Sequence, residues 1–261
     1  MRAPKPLTPT ARLRAAKRAC QDARDGRLDA PKLHALAEAG EPLAVAALAQ
    51  VALFRGALRE AATHAAAYLR APSPKGTGTL FTDMCHIVRA TGDDALIAEA
   101  AAGASTAGDL GGVVMAALRT NRYERFLVER ATTTAAPDAH ARFEAACAQA
   151  DGRAALARGT DARFRHEVAL AWTFRCDDEL LGRHEARPEL FGWNDLLEVA
   201  FALLRAGDAG GAVGALDADP RRWYAVDAAH VAPVELATHP ALAPLMTPAR
   251  GAYWLAAPRG A

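Results

Sequence analysis

Gly26, Gly56, Gly92, Asn121, Gly152, Gly182 and Gly207 recur at intervals of 30, 36, 29, 31, 30 and 25 residues. Nearly all are flanked by alanine-rich stretches long enough for one helix on each side. A turn-forming residue at about every thirtieth position marks a chain of stacked helical hairpins. One such hairpin cannot bury its apolar face alone, so it packs on its neighbours, and the stack exposes a long groove.

Composition agrees with an all-α protein. Alanine, the best helix former, supplies 67 residues, and there are only two isoleucines, Ile87 and Ile97. Twenty-seven arginines against 4 lysines point to a GC-rich coding bias, which also inflates alanine and must be subtracted from the helical signal. Net charge is near +1 but uneven, since residues 1–70 carry 12 Lys/Arg against 6 Asp/Glu. Arg2, Lys5, Arg12, Arg14, Lys17, Arg18, Arg24, Arg27 and Lys32 make the basic end, with counter-charges at Asp22, Asp25 and Asp29. A solvated helix face accounts for that run, and near-neutral overall charge argues against an extended nucleic-acid surface.

Cys20, Cys85, Cys147 and Cys176 are dispersed without a Cys-x-x-Cys pair, as small core hydrophobes would be, which fits a reducing compartment. Pro4, Pro6 and Pro9 interrupt any apolar leader. The longest uncharged apolar run, Leu43 to Phe54, is too short for a bilayer. These readings predict a soluble, cytoplasmic protein with no membrane contact.

Helix signals are regular. Thr8-Pro9 opens a first helix closed by Gly26, Asp29 caps a second ending at Gly40, and Pro42 opens a third that reaches Arg55. A fourth runs from Gly56 to about Arg70, before Pro72 and Pro74. Later pairs are expected at 79–91 with 93–103, 109–119 with 121–131, and 137–150 with 152–158. Two more follow at 161–176 with 177–187 and 193–206 with 208–217. Six prolines after Asp219 leave room only for short helices, so residues 220–261 are expected to cap the last repeat of a 1–219 stack. Trp172, Trp193, Trp223 and Trp254 all fall in the last ninety residues, where core and cap packing is the favoured role.

Two stretches carry a family likeness. Over 42–72, Val45, Leu48, Ala49 and Ala52 lead to Gly56, then Leu58, Ala61 and Leu69. Over 193–220, Leu196, Val199, Ala200 and Leu203 lead to Gly207, then Ala212, Leu216 and Pro220. The chain there resembles tetratricopeptide repeats, over about a quarter of its length; elsewhere it departs, as at Ile97, where an alanine is expected. The resemblance implies a right-handed α-solenoid of about seven hairpins whose first helices line a concave groove.

Arg24, Arg119 and Arg205 stand two residues before their turn residue, and Arg175 does so if a turn begins at Asp177. Arg55 and Arg89 are one residue off that register. One helical turn earlier the same face carries Gln50, His86, Met115 and Phe201. The groove residues expected from this register are Gln50, Arg89, Met115, Arg119, Arg175, Phe201 and Arg205. They suit an acidic peptide or a terminal carboxylate gripped by bidentate guanidinium groups. Cations in the last turn of a helix also complement its dipole, which explains the arginines without a ligand.

Two constellations bear on chemistry. His34 with Glu38, and Glu60 with His64, are each four apart on second helices, and stacking would bring two imidazoles and two carboxylates together as zinc or iron ligands. Pairs at this spacing are also ordinary helix-surface decoration. Asp177, Asp178, Glu179, His184 and Glu185 form the densest ionisable cluster, yet no nucleophile has a matching base. The sequence thus predicts a non-enzymatic module that needs no cofactor and binds a protein or acidic peptide, as an adaptor or an immunity-type inhibitor. The alternative is an all-α enzyme with its pocket between the sixth hairpin and the C-terminal segment.

Overall fold

The structure, a computed structural model, describes residues 7–71, 78–104, 122–154 and 160–260. The chain is all-helical: fourteen α-helices and three short 3-10 turns, with no strand among the described residues. Contacts divide it into two compact units, Met1–Arg125 with Trp223–Ala261, and Phe126–Arg222. Among the described residues no helix is long and apolar enough to cross a membrane.

The first unit begins with α1 (Pro9–Arg24), α2 (Ala30–Glu38), α3 (Pro42–Phe54), α4 (Leu58–Arg70), α5 (Gly78–Arg89) and α6 (Asp94–Ala104). Sequence signals set their ends. Thr8, Asp29 and Glu41 each accept a backbone N–H of the first turn, and proline occupies that turn in all three helices. At the end of α3, Gly56 takes φ +78, which lets its N–H reach Leu53 O and the next N–H reach Ala52 O. α1 packs on α2 and α3, α3 on α2, α4 and α5, and α4 on α5 and α6.

α3 explains the rest of this unit. Eleven of its residues, from Leu43 to Phe54, are buried. A helix that is apolar all round must be covered on every side. Its remaining cover is the C-terminal segment, which carries α13 (Glu235–Thr238) and α14 (Pro248–Ala256). α14 packs on α3 and α13 on α5. Ala229, Val231, Val234, Leu236, Leu242 and Trp254 from this segment are all buried. Residues 223–260 therefore lie on α1, α3 and α5, which corrects the expected cap on the last repeat.

The second unit holds the part of α7 (Arg122–Thr132) from Phe126 on, then α8 (Ala139–Ala154), α9 (Thr160–Phe174) and α10 (Asp177–Ala186). α11 (Trp193–Arg205) and α12 (Ala209–Asp217) complete it. Gly152 and Gly182 lie within α8 and α10, so neither makes the expected turn, and the predicted break at 150–152 is absent. The turn between α9 and α10 is made by Arg175 itself at φ +58, with Cys176 N–H on Ala171 O. Asn121 and the predicted helix 109–119 lie outside the described residues. α12 carries Gly210, Gly211 and Gly214, and nothing stands within 4 Å of a Cβ placed on Gly214. Gly214→Ala should therefore raise stability by about 0.5–1 kcal/mol through helix propensity alone, read from a urea melt.

Candidate functional site

The expected arginine groove resolves into two internal networks. In the second unit, Arg175 Nη1 donates to Glu129 O, Arg130 O and Thr133 O at 3.4, 2.7 and 3.3 Å. Arg205 Nη1 donates to Arg130 O at 3.0 Å, while its Nε and Nη2 grip the two Asp177 oxygens at 2.7 Å each. Both guanidinium groups thus converge on the carbonyl end of α7, where a helix leaves its last C=O groups unmatched and carries partial negative charge. The Arg205 side chain is only 7 % exposed. Phe201 is buried beneath Arg130, whose guanidinium stands 5.6 Å from the ring centroid and pairs with the buried Glu198. Arg175, Arg205 and Phe201 are structural here, which corrects their placement on an open groove. Arg130 and Glu198, missed in the sequence, complete the network.

The second network belongs to the first unit. Gln50 is 0 % exposed. Its amide nitrogen donates to Ala46 O at 3.1 Å and Ala229 O at 2.8 Å, and its oxygen accepts from Val231 N at 2.8 Å and Ala232 N at 3.2 Å. The side chain recognises an extended backbone, as a groove residue would, but the backbone is the chain's own. Arg24 works beside it, donating to Ala228 O at 3.0 Å and His230 O at 2.9 Å. Arg259 returns the contact through its N–H on Arg24 O at 2.8 Å and its guanidinium on Ala23 O. Burial and the neighbouring Arg24 charge push Arg259 down to about 10, so it stays protonated at neutral pH. His230 Nε2 stands 3.0 Å from Asp83 Oδ2 on α5, close enough to pair when charged. Arg89 is half-buried at the end of α5. Met115 and Arg119 lie outside the described residues.

Among its described residues the second unit carries a trough of about 260 Å³. α11 supplies Leu196 and Leu203 as its floor, α12 supplies Gly211, Gly214 and Ala215 with Ala218 just past its end, and His184, Pro188 and Arg222 close the trough. Pro188, Gly214 and Ala218 are exposed, so it opens to solvent. It is smaller than the roughly 300–1,000 Å³ of small-molecule sites and has the size of one or two apolar side chains. Arg222 is anchored to Phe191 O at 3.2 Å and to Pro188 O, which fixes its charge at the rim. His184 stands with its ring 5.0 Å from Phe191. Burial, then the Arg222 charge, lower its pKa against the opposing pull of Glu185. Two acids of the expected catalytic cluster are engaged: Asp177 by Arg205, and Glu179 by Arg183.

His86 is likewise held below the usual histidine value by burial and Arg89, against Asp83. A histidine whose folded pKa is depressed favours the unfolded chain on protonation, so its contribution is complete above about pH 6.5 and is lost as pH falls. The melting temperature should therefore drop between pH 7.5 and pH 5.5, with a shallower drop in His184→Gln. A flat profile would contradict the burial of both rings. Burial raises the Cys20 and Cys85 thiols to about 12, so neither is a ready thiolate near neutrality.

The His/Glu quartet is partly assembled. The His34 and His64 rings, from α2 and α4, have centroids 6.2 Å apart, and Glu60 Oε1 lies 3.9 Å from His64 Nε2. Glu38 is exposed and makes no ion pair with another described residue. Among the described residues no set of three or more His, Cys, Asp or Glu side chains is arranged to hold a metal.

The chain matches no family model, no curated protein and no solved structure.

Proposed function

We propose that this chain is a non-enzymatic helical-repeat protein that binds a protein partner, with the α11–α12 trough receiving an apolar side chain of that partner. The observation that carries the reading is the packing order of the first unit. There α1, α3 and α4 each pack on both the next helix and the next but one, as successive hairpins of a right-handed α-solenoid do. The tetratricopeptide likeness over 42–72 and 193–220 supports the same class, and the second stretch contains the trough. An anchor of one or two buried apolar groups ringed by polar residues is how protein interfaces concentrate their affinity. Arg222 at the rim favours an acidic residue next to that anchor.

The test is capture from the source cells with wild type and with Gly214→Trp, whose new side chain enters open space on the exposed face of α12. A partner held by wild type and lost by the variant supports the reading. The same partner on both would move the contact off the trough. No specific partner for wild type would contradict the function.

A further inference from the structure

We propose that the face of α1 carrying Arg14, Lys17 and Arg18 docks an acidic segment of a protein partner. The contact rests on the protein-binding reading above and belongs to the first unit. Residues 1–21 hold six Lys/Arg and no Asp/Glu. Arg14, Lys17 and Arg18 are exposed and stand three and four apart along α1, so they share one side of the helix. None of their side chains makes an ion pair or hydrogen bond with another described residue. The carboxylates expected to balance them are spent elsewhere. Asp22 and Asp25 pair with Arg27 at 3.2 and 2.7 Å, Asp22 also faces Lys32 at 3.9 Å, and Asp29 caps Lys32 N at 3.0 Å.

Helix stability does not account for this face. Like charges three and four apart on a helix repel and weaken it. The cation that complements the dipole of α1 is Arg24 in its last turn, where none of the three stands. An anionic surface brought from outside offsets the repulsion, and the shape of the face selects which. It spans little more than one helical turn, with about 5–6 Å between neighbouring positions, which suits a few carboxylates better than a long run of phosphates. Lasting attachment to a bilayer needs an apolar side to insert as well as charge. The apolar side of α1, with Ala16, Ala19, Cys20 and Ala23, is buried, and the helix packs on α2 and α3. Arg14 and Arg18, one turn apart, can each hold a carboxylate through two parallel hydrogen bonds, with Lys17 as a point charge beside them.

Fluorescein-labelled hexaglutamate, followed by anisotropy with the full-length protein, tests the face. Saturable binding is expected at about 20 mM NaCl, weakening at least about fivefold by about 150 mM. Arg14→Gln, Lys17→Gln and Arg18→Gln made together should weaken binding at least about tenfold, with Tm unchanged or raised because the repulsion is gone. Arg55→Gln, Arg59→Gln and Arg125→Gln together remove the same charge at other exposed positions and should change binding less than about twofold. Gly214→Trp should leave hexaglutamate binding unchanged, so failure at the trough and failure at α1 are read separately. Absence of saturable binding at millimolar hexaglutamate would overturn the proposal. Binding that survives the α1 triple variant, or that falls equally in both triple variants, would do the same. Tighter binding of a DNA duplex or of phosphatidylserine vesicles than of hexaglutamate, lost in the α1 variant, would assign the face to nucleic acid or lipid and overturn it likewise.

Discussion

Gly251→Ala should be among the most damaging single-atom changes this chain can suffer. A Cβ at residue 251 would stand 1.7 Å from Phe54 O and 2.8 Å from its carbonyl carbon. The obstacle is the backbone of α3, which cannot rotate aside as a side chain would, so α14 must retreat. α14 carries Trp254, which is fully buried, and Leu255. Overpacking a core costs about 1–3 kcal/mol, and losing a buried tryptophan from its site costs about 3–5 kcal/mol. A loss of at least about 3 kcal/mol is expected, seen as a Tm fall on the order of 10 °C. Gly214→Ala, the same chemical change in open space, should move the other way. Equal effects of the two would refute the close approach of α14 to α3.

Gln50→Leu should come close behind. Leucine keeps most of the volume but leaves Ala229 O, Val231 N and Ala232 N without the partner that Gln50 supplies. A buried backbone group stripped of its hydrogen bond costs about 1–3 kcal/mol, and partial relaxation brings the sum to about 3–5 kcal/mol. Gln50→Glu should be no better, because it removes the donor to Ala229 O and buries a charge. A urea titration gives the difference directly. A Gln50→Leu variant within about 0.5 kcal/mol of wild type would show that the amide does not hold the C-terminal segment.

Local helix signals were legible and long-range partners were not. Thr8, Asp29, Pro42 and Gly207 each mark a boundary within two residues of where it falls, because caps and left-handed turns are decided by atoms a few residues apart. Gly152 and Gly182 misled for the same reason in reverse. Glycine permits a turn without compelling one, and neither is followed by the cap that a new helix needs. Arg175 hid a turn because a guanidinium bound to three carbonyls at and just past the end of α7 accompanies a conformation that non-glycine residues seldom adopt. The arginine register was a genuine regularity, but what Arg175 and Arg205 complement is the end of another helix, which spacing along one chain cannot reveal.

The placement of residues 223–260 has a signal in the composition of the third helix. Leu43–Phe54 is apolar on every face, so one stacked neighbour could never cover it. A single glutamine in such a helix requires polar partners from elsewhere, and a Pro-rich segment with few helical bonds of its own can supply backbone groups. Those two facts together point to contact between the third helix and the C-terminal stretch. The nearness of His34 and His64, by contrast, is suggested by counting both residues from their own turns, and their ring centroids lie 6.2 Å apart.

Amide hydrogen exchange at Val231 and Ala232 tests the central claim most directly, that the face of the first helices is filled by the chain's own C-terminal segment. Both amides lie outside any helix, yet both donate to a fully buried Gln50 oxygen. They should exchange as slowly as the amides in the middle of α3, through opening of the whole unit, and should lose that protection in Gln50→Leu. Exchange of either amide at the rate of an exposed loop in the wild-type protein would contradict the account and return Gln50 to an open groove.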